Sequence, residues 1–307
     1  MPSRLDAVIA GVNKAGTTSL FVSLSAHPDI TPSAIKETGY FLPPRWGEPL
    51  EPFSVYESYF RDAVAAPVHL EATPSYLYGG RAVAEAIAAR LVDPHVILVL
   101  REPVARATSF FKYQKVRLRF PEDLPMEEYL AVADRLGPDD FRDPANEKYL
   151  AFQGGCYADY LPAWLDVFGT DRLRIVWFED LVREPEATLA SVTSFLGLDP
   201  RRLPSEELSS ENRTTGFRNA WFQRVALAGN DRLERVFRRH PATKQRIRSW
   251  YYRLNGRTPD DVIPDQVIDT LTARYEEPNR RLAAQLTAAG IAPPPWLPRD
   301  ASPAESA

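Results

Sequence analysis

Short apolar runs alternate with longer amphipathic stretches along the first two thirds of the chain. Ala7-Val8-Ile9-Ala10 is apolar and ends at Gly11, which predicts a short buried strand. Thr17 to Ala26 reads as a helix closed by His27-Pro28, because the residue before a proline is pushed out of the helical region. Val68-His69-Leu70-Glu71 predicts a second strand, alanine-rich Arg81 to Leu91 a helix, and β-branched His95 to Leu100 a third strand. Pro103 then sits where a helix begins, a place where its missing N–H costs nothing. Leu173 to Phe178 predicts another strand, followed by a helix from Pro185 to Leu196. Strands alternating with helices predict an α/β fold, a central parallel sheet flanked by helices. Such a sheet gathers the loops that follow its strands along one edge.

Two stretches break the alternation. Pro43 to Pro52 is proline-rich, and Phe120 to Asn146 mixes proline with acidic residues around one helical pattern, Met126 to Leu136. Both read as surface excursions. The chain after Ile291 carries Pro293-Pro294-Pro295 and ends in small polar residues. We read a folded domain over 1–290 and a disordered, proline-rich tail over 291–307.

Composition narrows the function classes. The 307 residues carry a net charge of −4, which offers no general attraction to nucleic acid. No apolar run approaches the roughly 20 residues of a membrane span. A single cysteine, Cys156, cannot form an internal disulfide, and no secretory leader opens the chain; both point to the cytoplasm. One segment departs from the charge balance. Residues 217–255 hold ten Arg or Lys against Asp231 and Glu234, a net of +8, interleaved with aromatics. The segment reads as a solvated basic face or as a surface for an anionic substrate or for peripheral contact with anionic lipid headgroups.

The densest signal follows the first strand. Gly11-Val12-Asn13-Lys14-Ala15-Gly16-Thr17-Thr18-Ser19 is a glycine-bounded loop opening a helix, a geometry that aims backbone N–H groups at an anion. Thr17, Thr18 and Ser19 add hydroxyl donors, and Lys14 adds charge. The glycine spacing equals that of a nucleotide-binding P-loop, but the P-loop lysine would follow the second glycine, where Thr17 stands. Arg101, at the carboxyl end of a strand, and Ser109, about two helical turns on, form a second cluster suited to phosphate. A turn with a chance lysine and an arginine paired to a carboxylate are the plain alternatives.

Lys14-Ala15-Gly16-Thr17-Thr18-Ser19-Leu20 resembles the 5′-phosphosulfate loop of sulfotransferases that use PAPS (3′-phosphoadenosine-5′-phosphosulfate), most closely the heparan sulfate sulfotransferase-like group and its bacterial relatives. Arg101-Glu102-Pro103 through Ser109 resembles the same family's 3′-phosphate element. The similarity runs from about Val8 to Leu286. It implies the sulfotransferase fold, with Lys14, Ala15, Gly16, Thr17, Thr18 and Ser19 around the 5′-phosphosulfate and Arg101 and Ser109 at the 3′-phosphate. Arg213, in a basic loop, matches loosely a further 3′-phosphate ligand. Lys36-Glu37-Thr38-Gly39-Tyr40-Phe41 resembles the motif whose glutamate is the general base, which marks Glu37; His69 is the competing base. Lys14 would share the catalytic work by steadying the leaving phosphate.

Glu71-Ala72-Thr73-Pro74-Ser75-Tyr76 departs from the family pattern, because Ala72 replaces a lysine that lies near the active site of the glycan enzymes. The resemblance implies PAPS as co-substrate without a metal, and a hydroxyl or amine acceptor on a small molecule, glycan or lipid. Two other classes compete. A P-loop-type nucleotide kinase would need ATP and Mg²⁺. A noncatalytic nucleotide or anionic-lipid binding module would not need Glu37.

Overall fold

The computed structural model describes residues 5–60, 66–204 and 262–297, with two further strands, Gly216–Phe217 and Gly256–Arg257, paired antiparallel. A five-stranded, wholly parallel sheet forms the centre. Its strands are β1 (Leu5–Gly11), β2 (Ile30–Pro32), β3 (Val68–Ala72), β4 (His95–Leu100) and β5 (Leu173–Trp177), in spatial order β2-β3-β1-β4-β5. Within β1 and β4, Ala7 to Ala10 and Val96 to Leu100 are all but inaccessible, as expected of strands covered on both faces.

The helices are α1 (Thr17–Ser25), α2 (Phe53–Ser58), α3 (Gly80–Arg90), α4 (Pro103–Val116), α5 (Met126–Ala133), α6 (Leu161–Phe168), α7 (Phe178–Arg183), α8 (Pro185–Phe195) and α9 (Asp265–Ala288). From β1 the chain crosses to the edge strand β2, returns to β3 beside β1, and then passes to β4 and β5 on the other side. The order of strands therefore reverses beside β1, and the loops after β1 and β4 diverge there, which opens a crevice at the strands' carboxyl ends. The β1–β4 register slips between Ile9 and Gly11, a bulge that re-aims the chain as it enters the loop.

The structure adds detail to three expectations. Phe178 starts α7 rather than ending β5. The proline-rich excursion holds a 3₁₀ turn, Pro43–Trp46, and runs into α2, whose Tyr56 is buried among Tyr40, Phe41 and Phe60. The chain also stays packed past 290. Leu297 is buried, and Trp296 sets its ring edge-on to Trp177 at 5.9 Å while its Nε1 donates to Glu179 at 3.2 Å. Among the described residues no helix is long and apolar enough to cross a membrane. Arg213 and most of the basic 217–255 segment lie outside the described residues.

Candidate active site

The loop after β1 takes its shape from two left-handed residues, Lys14 at φ 71° and Gly16 at φ 81°. Gly16 is also the residue that precedes α1, so no side chain takes up the helix's first N–H groups. A Cβ built on Gly16 would stand 3.0 Å from the Phe178 ring, so both backbone angle and space require glycine there. Thr17 and Thr18 face the resulting cleft; Ala15 is fully buried beneath the loop, and Ser19 lies one step further along α1, outside the lining.

The loop after β4 meets this one. Arg101 Nη1 donates to the Lys14 carbonyl at 3.0 Å, and the guanidinium lies 4.5 Å from the Phe178 ring centre. Tyr157 grips the Arg101 backbone, donating to its carbonyl at 2.7 Å. The adjacent carboxylate that could have neutralised Arg101 is used elsewhere: Glu102 caps α4 by accepting from Val104 N and Ala105 N at 2.9 and 2.6 Å. Arg101 thus remains a cation at the cleft wall, with Ser109 of α4 also lining it.

The cleft has a volume of about 280 Å³. Lys14 places its ammonium 4.6 Å from the Tyr113 ring centre. Burial pushes its pKa down to about 8, with Arg101 and Lys36 lowering it further and Glu37 pulling the other way. Glu37 lines the same cleft and holds a left-handed φ of 68°. Its Oε1 accepts from Lys36 at 3.1 Å, the pairing expected of a surface salt bridge, and 55% of the side chain stays exposed. Its backbone N–H donates to the Ala72 carbonyl at 2.8 Å, which ties the turn to the end of β3.

The remaining candidates fall away from the cleft. His69 stacks on Phe60 at 4.7 Å and faces Asp6 at 3.8 Å, outside the cleft lining, so it is not placed to be the base. Arg106, on α4, serves structure. It is fully buried, donates to the Leu150 and Ala151 carbonyls and reaches Tyr78 Oη at 3.3 Å. Burial pushes the Cys156 thiol up to about 12, the state of a packed thiol rather than a nucleophile.

Sequence reasoning did not mark Phe178, Tyr113, Gln114 or Glu147 as cleft residues, although all line it together with Arg117 and Arg119. Tyr113, Gln114 and Arg117 follow Ser109 on or just past α4, so helical spacing from Ser109 was a usable signal. Glu147 arrives from a distant turn and pairs there with Arg45, a contact no local pattern announces. Among the described residues no group of three or more His, Cys, Asp or Glu is placed to hold a metal ion.

Comparison with known proteins bears on this arrangement. Residues 4–256 match the sulfotransferase domain family. Heparan sulfate glucosamine 3-O-sulfotransferase 3B1 from Mus musculus is 31% identical over 212 residues, covering 69% of this chain and 50% of that protein. Mouse heparan sulfate glucosamine 3-O-sulfotransferase 6 is 29% identical over 279 residues, covering 90% and 70%. The chain thus spans about half the length of the first of these curated relatives. Among solved structures, a sulfotransferase from Alicyclobacillus acidocaldarius superposes with a TM-score of 0.59 at 27% identity, covering 69% of this chain and 89% of that one. The chain belongs to the sulfotransferase domain family.

Proposed function

We propose that the protein transfers a sulfuryl group from PAPS to a hydroxyl or amine by in-line displacement. One observation carries this reading: Lys14 and Arg101, at the ends of neighbouring strands, share one cleft with the carboxylate of Glu37. Phosphate oxygens need cations and N–H donors, and the acceptor needs a group to take its proton. The donor set fits the nucleotide. The Lys14 loop with Gly16, Thr17 and Thr18 would hold the 5′-phosphosulfate, with Ala15 and Ser19 as supports, and Arg101 with Ser109 would hold the 3′-phosphate. Arg213 would complete the 3′-phosphate site from the segment outside the described residues.

In the reaction Glu37 accepts the acceptor's proton as its oxygen or nitrogen bonds to sulfur and the sulfur's bond to the phosphate oxygen breaks. Such general-base help is typically worth ~10²–10⁴-fold. The Lys14 ammonium neutralises charge developing on the leaving phosphate. The 3-O-sulfotransferase relatives act on heparan sulfate glucosamine by name. Ala72 withholds from this cleft the lysine of the glycan enzymes, so we leave the acceptor as a hydroxyl- or amine-bearing small molecule, glycan or lipid. The buried thiol of the lone Cys156 suits a reducing compartment, and we place the reaction in the cytoplasm.

Two features speak against a nucleotide kinase. Lys14 sits inside the loop rather than after Gly16, and Arg101 adds a second cation suited to a 3′-phosphate. Calorimetric titration with PAP (adenosine 3′,5′-bisphosphate) and with ADP decides between them. The 3′-phosphate contacts should contribute roughly 2–4 kcal/mol, so PAP should bind about 30- to 1000-fold tighter, and Arg101→Ala should abolish the difference. Equal binding of ADP and PAP by the native protein would end the sulfotransferase reading.

A further inference from the structure

Resting on the reading of Glu37 as base, we propose that Glu71 is a positioning residue for the reaction. Its buried carboxylate anchors, through Thr38, Thr73 and Tyr76, the turn that presents Glu37 to the cleft. Three consecutive backbone N–H groups just after Glu37 point at side-chain hydroxyls. Gly39 N donates to Thr73 Oγ1 at 3.2 Å, Tyr40 N to Thr38 Oγ1 at 3.3 Å and Phe41 N to Tyr76 Oη at 3.1 Å. The hydroxyls converge in turn. Thr38 Oγ1 donates to Glu71 Oε2 at 2.5 Å and Thr73 Oγ1 to the same oxygen at 3.3 Å, while Tyr76 Oη stands 3.2 Å from Thr38 Oγ1. One carboxylate oxygen is therefore the end point of relays from the backbone of Gly39, Tyr40 and Phe41.

The turn needs such an anchor. Glu37 is a non-glycine residue at φ 68°, a conformation disfavoured for a residue with a Cβ that persists only where surroundings impose it. Its own N–H is held by Ala72, the residue after Glu71, so both ends of the turn hang from the carboxyl end of β3. Glu71 is itself costly where it stands. It is fully buried, its Oε1 has no hydrogen-bond partner, and Asp6 on β1 adds a like charge. Burial, with Asp6 acting the same way, pushes its pKa up to about 7 against the opposing influence of the Thr38, Tyr76 and Thr73 hydroxyls. An apolar side chain would fill the volume without that desolvation. What the carboxylate supplies in exchange is the conformation of residues 37–41.

The test needs no known acceptor. Radiolabelled PAPS is turned over with water as acceptor and read as inorganic sulfate; the Lys14 pKa is followed by NMR of ¹⁵N-lysine protein; PAP affinity is the control. Glu37→Gln should slow turnover ~10²–10⁴-fold and lower the Lys14 pKa, because Glu37 now raises it. Glu71→Leu should slow turnover about 10- to 100-fold by displacing Glu37, lower the Lys14 pKa in the same direction, and leave PAP affinity within about threefold. Glu71→Gln, which keeps an acceptor at the Oε2 position, should restore most of the rate. The double variant Glu37→Gln/Glu71→Leu should be no slower than Glu37→Gln, as expected of residues acting as one unit.

Multiplicative losses in the double variant, or a Glu71→Leu protein with native turnover and native Lys14 titration, would overturn the proposal. If Glu71→Leu does not fold, Thr38→Val removes the relays that run through Thr38, from Tyr40 and from Phe41 by way of Tyr76, and carries the same expectations. If Glu37→Gln itself changes neither rate nor Lys14, it is the reading of Glu37 as base that fails, which keeps the two failures apart.

Discussion

The two sides of the cleft are built on different principles. The nucleotide side consists of two loops that leave neighbouring strands, and each takes its turn and capping chemistry from within about ten residues of sequence. Gly16 supplies the left-handed turn, α1 supplies exposed N–H groups, and Glu102 caps the helix that carries Ser109. The base side is one turn, residues 36–41, whose conformation depends on β3 and the turn after it, more than 30 positions away. An anion site can be assembled from backbone and local turn chemistry. Placing one carboxylate at a chosen point takes tertiary contacts, because nothing in the turn itself favours Glu37 at positive φ.

That contrast breaks most visibly at Glu37. Glu37→Gln should lower turnover by ~10²–10⁴-fold while PAP affinity stays within a few-fold of native, since the 5′- and 3′-phosphate loops keep their own supports. Steady-state rates and calorimetry on one preparation check it. If PAP affinity falls as far as turnover, the two sides are not separable and the turn is part of the nucleotide site.

A tenfold-per-unit effect should follow from pH. Burial and the neighbouring Arg101 hold Lys14 at about 8, so its ammonium is present below that pH and is lost as pH rises through it. The kcat/KM for PAPS reports the free enzyme and should therefore fall about tenfold per unit above roughly pH 8. Lys14→Arg, which stays charged, should remove that limb at whatever rate it retains. A profile flat to pH 10 would mean that the Lys14 charge is not needed on the nucleotide side.

The same division explains what could be read in the sequence. The strands at Ala7 and His95 are legible because buried parallel strands are continuous apolar runs, and with the shorter, mixed runs at Val68 and Leu173 they spell out the α/β sheet. The Lys14 loop and Arg101–Ser109 were visible because each is contiguous and bounded by glycine or proline. Glu37 was marked by resemblance, but neither its left-handed backbone nor its dependence on Glu71 could be seen. Glu71 looks like the polar end of a strand until Thr38, Thr73 and Tyr76 are brought around it. Glu147 is legible only through its partner Arg45, about a hundred positions away. Three prolines in a row suggested disorder after 291, yet Trp296 finds both a ring and a carboxylate to pack on.

Trp296 gives the smallest and most specific test, because it touches the nucleotide side from outside. Its Nε1 holds Glu179 Oε2 at 3.2 Å, and the other oxygen of that carboxylate accepts from Glu102 N at 2.9 Å, one residue beyond Arg101. Glu179 also exerts the strongest charge attraction on Arg101. Without the indole, Glu179 is freer to turn toward the guanidinium and compete for it with a phosphate. The lost contact corresponds to one ordinary hydrogen bond, so Trp296→Ala should weaken PAP binding about two- to fivefold and leave Glu37-dependent turnover at saturating PAPS nearly unchanged. Ending the chain at residue 290 should do the same and little more. A truncated protein that binds PAP as tightly as the full chain would restore the domain boundary at 290 and would show that the nucleotide side is shaped by its own loops alone.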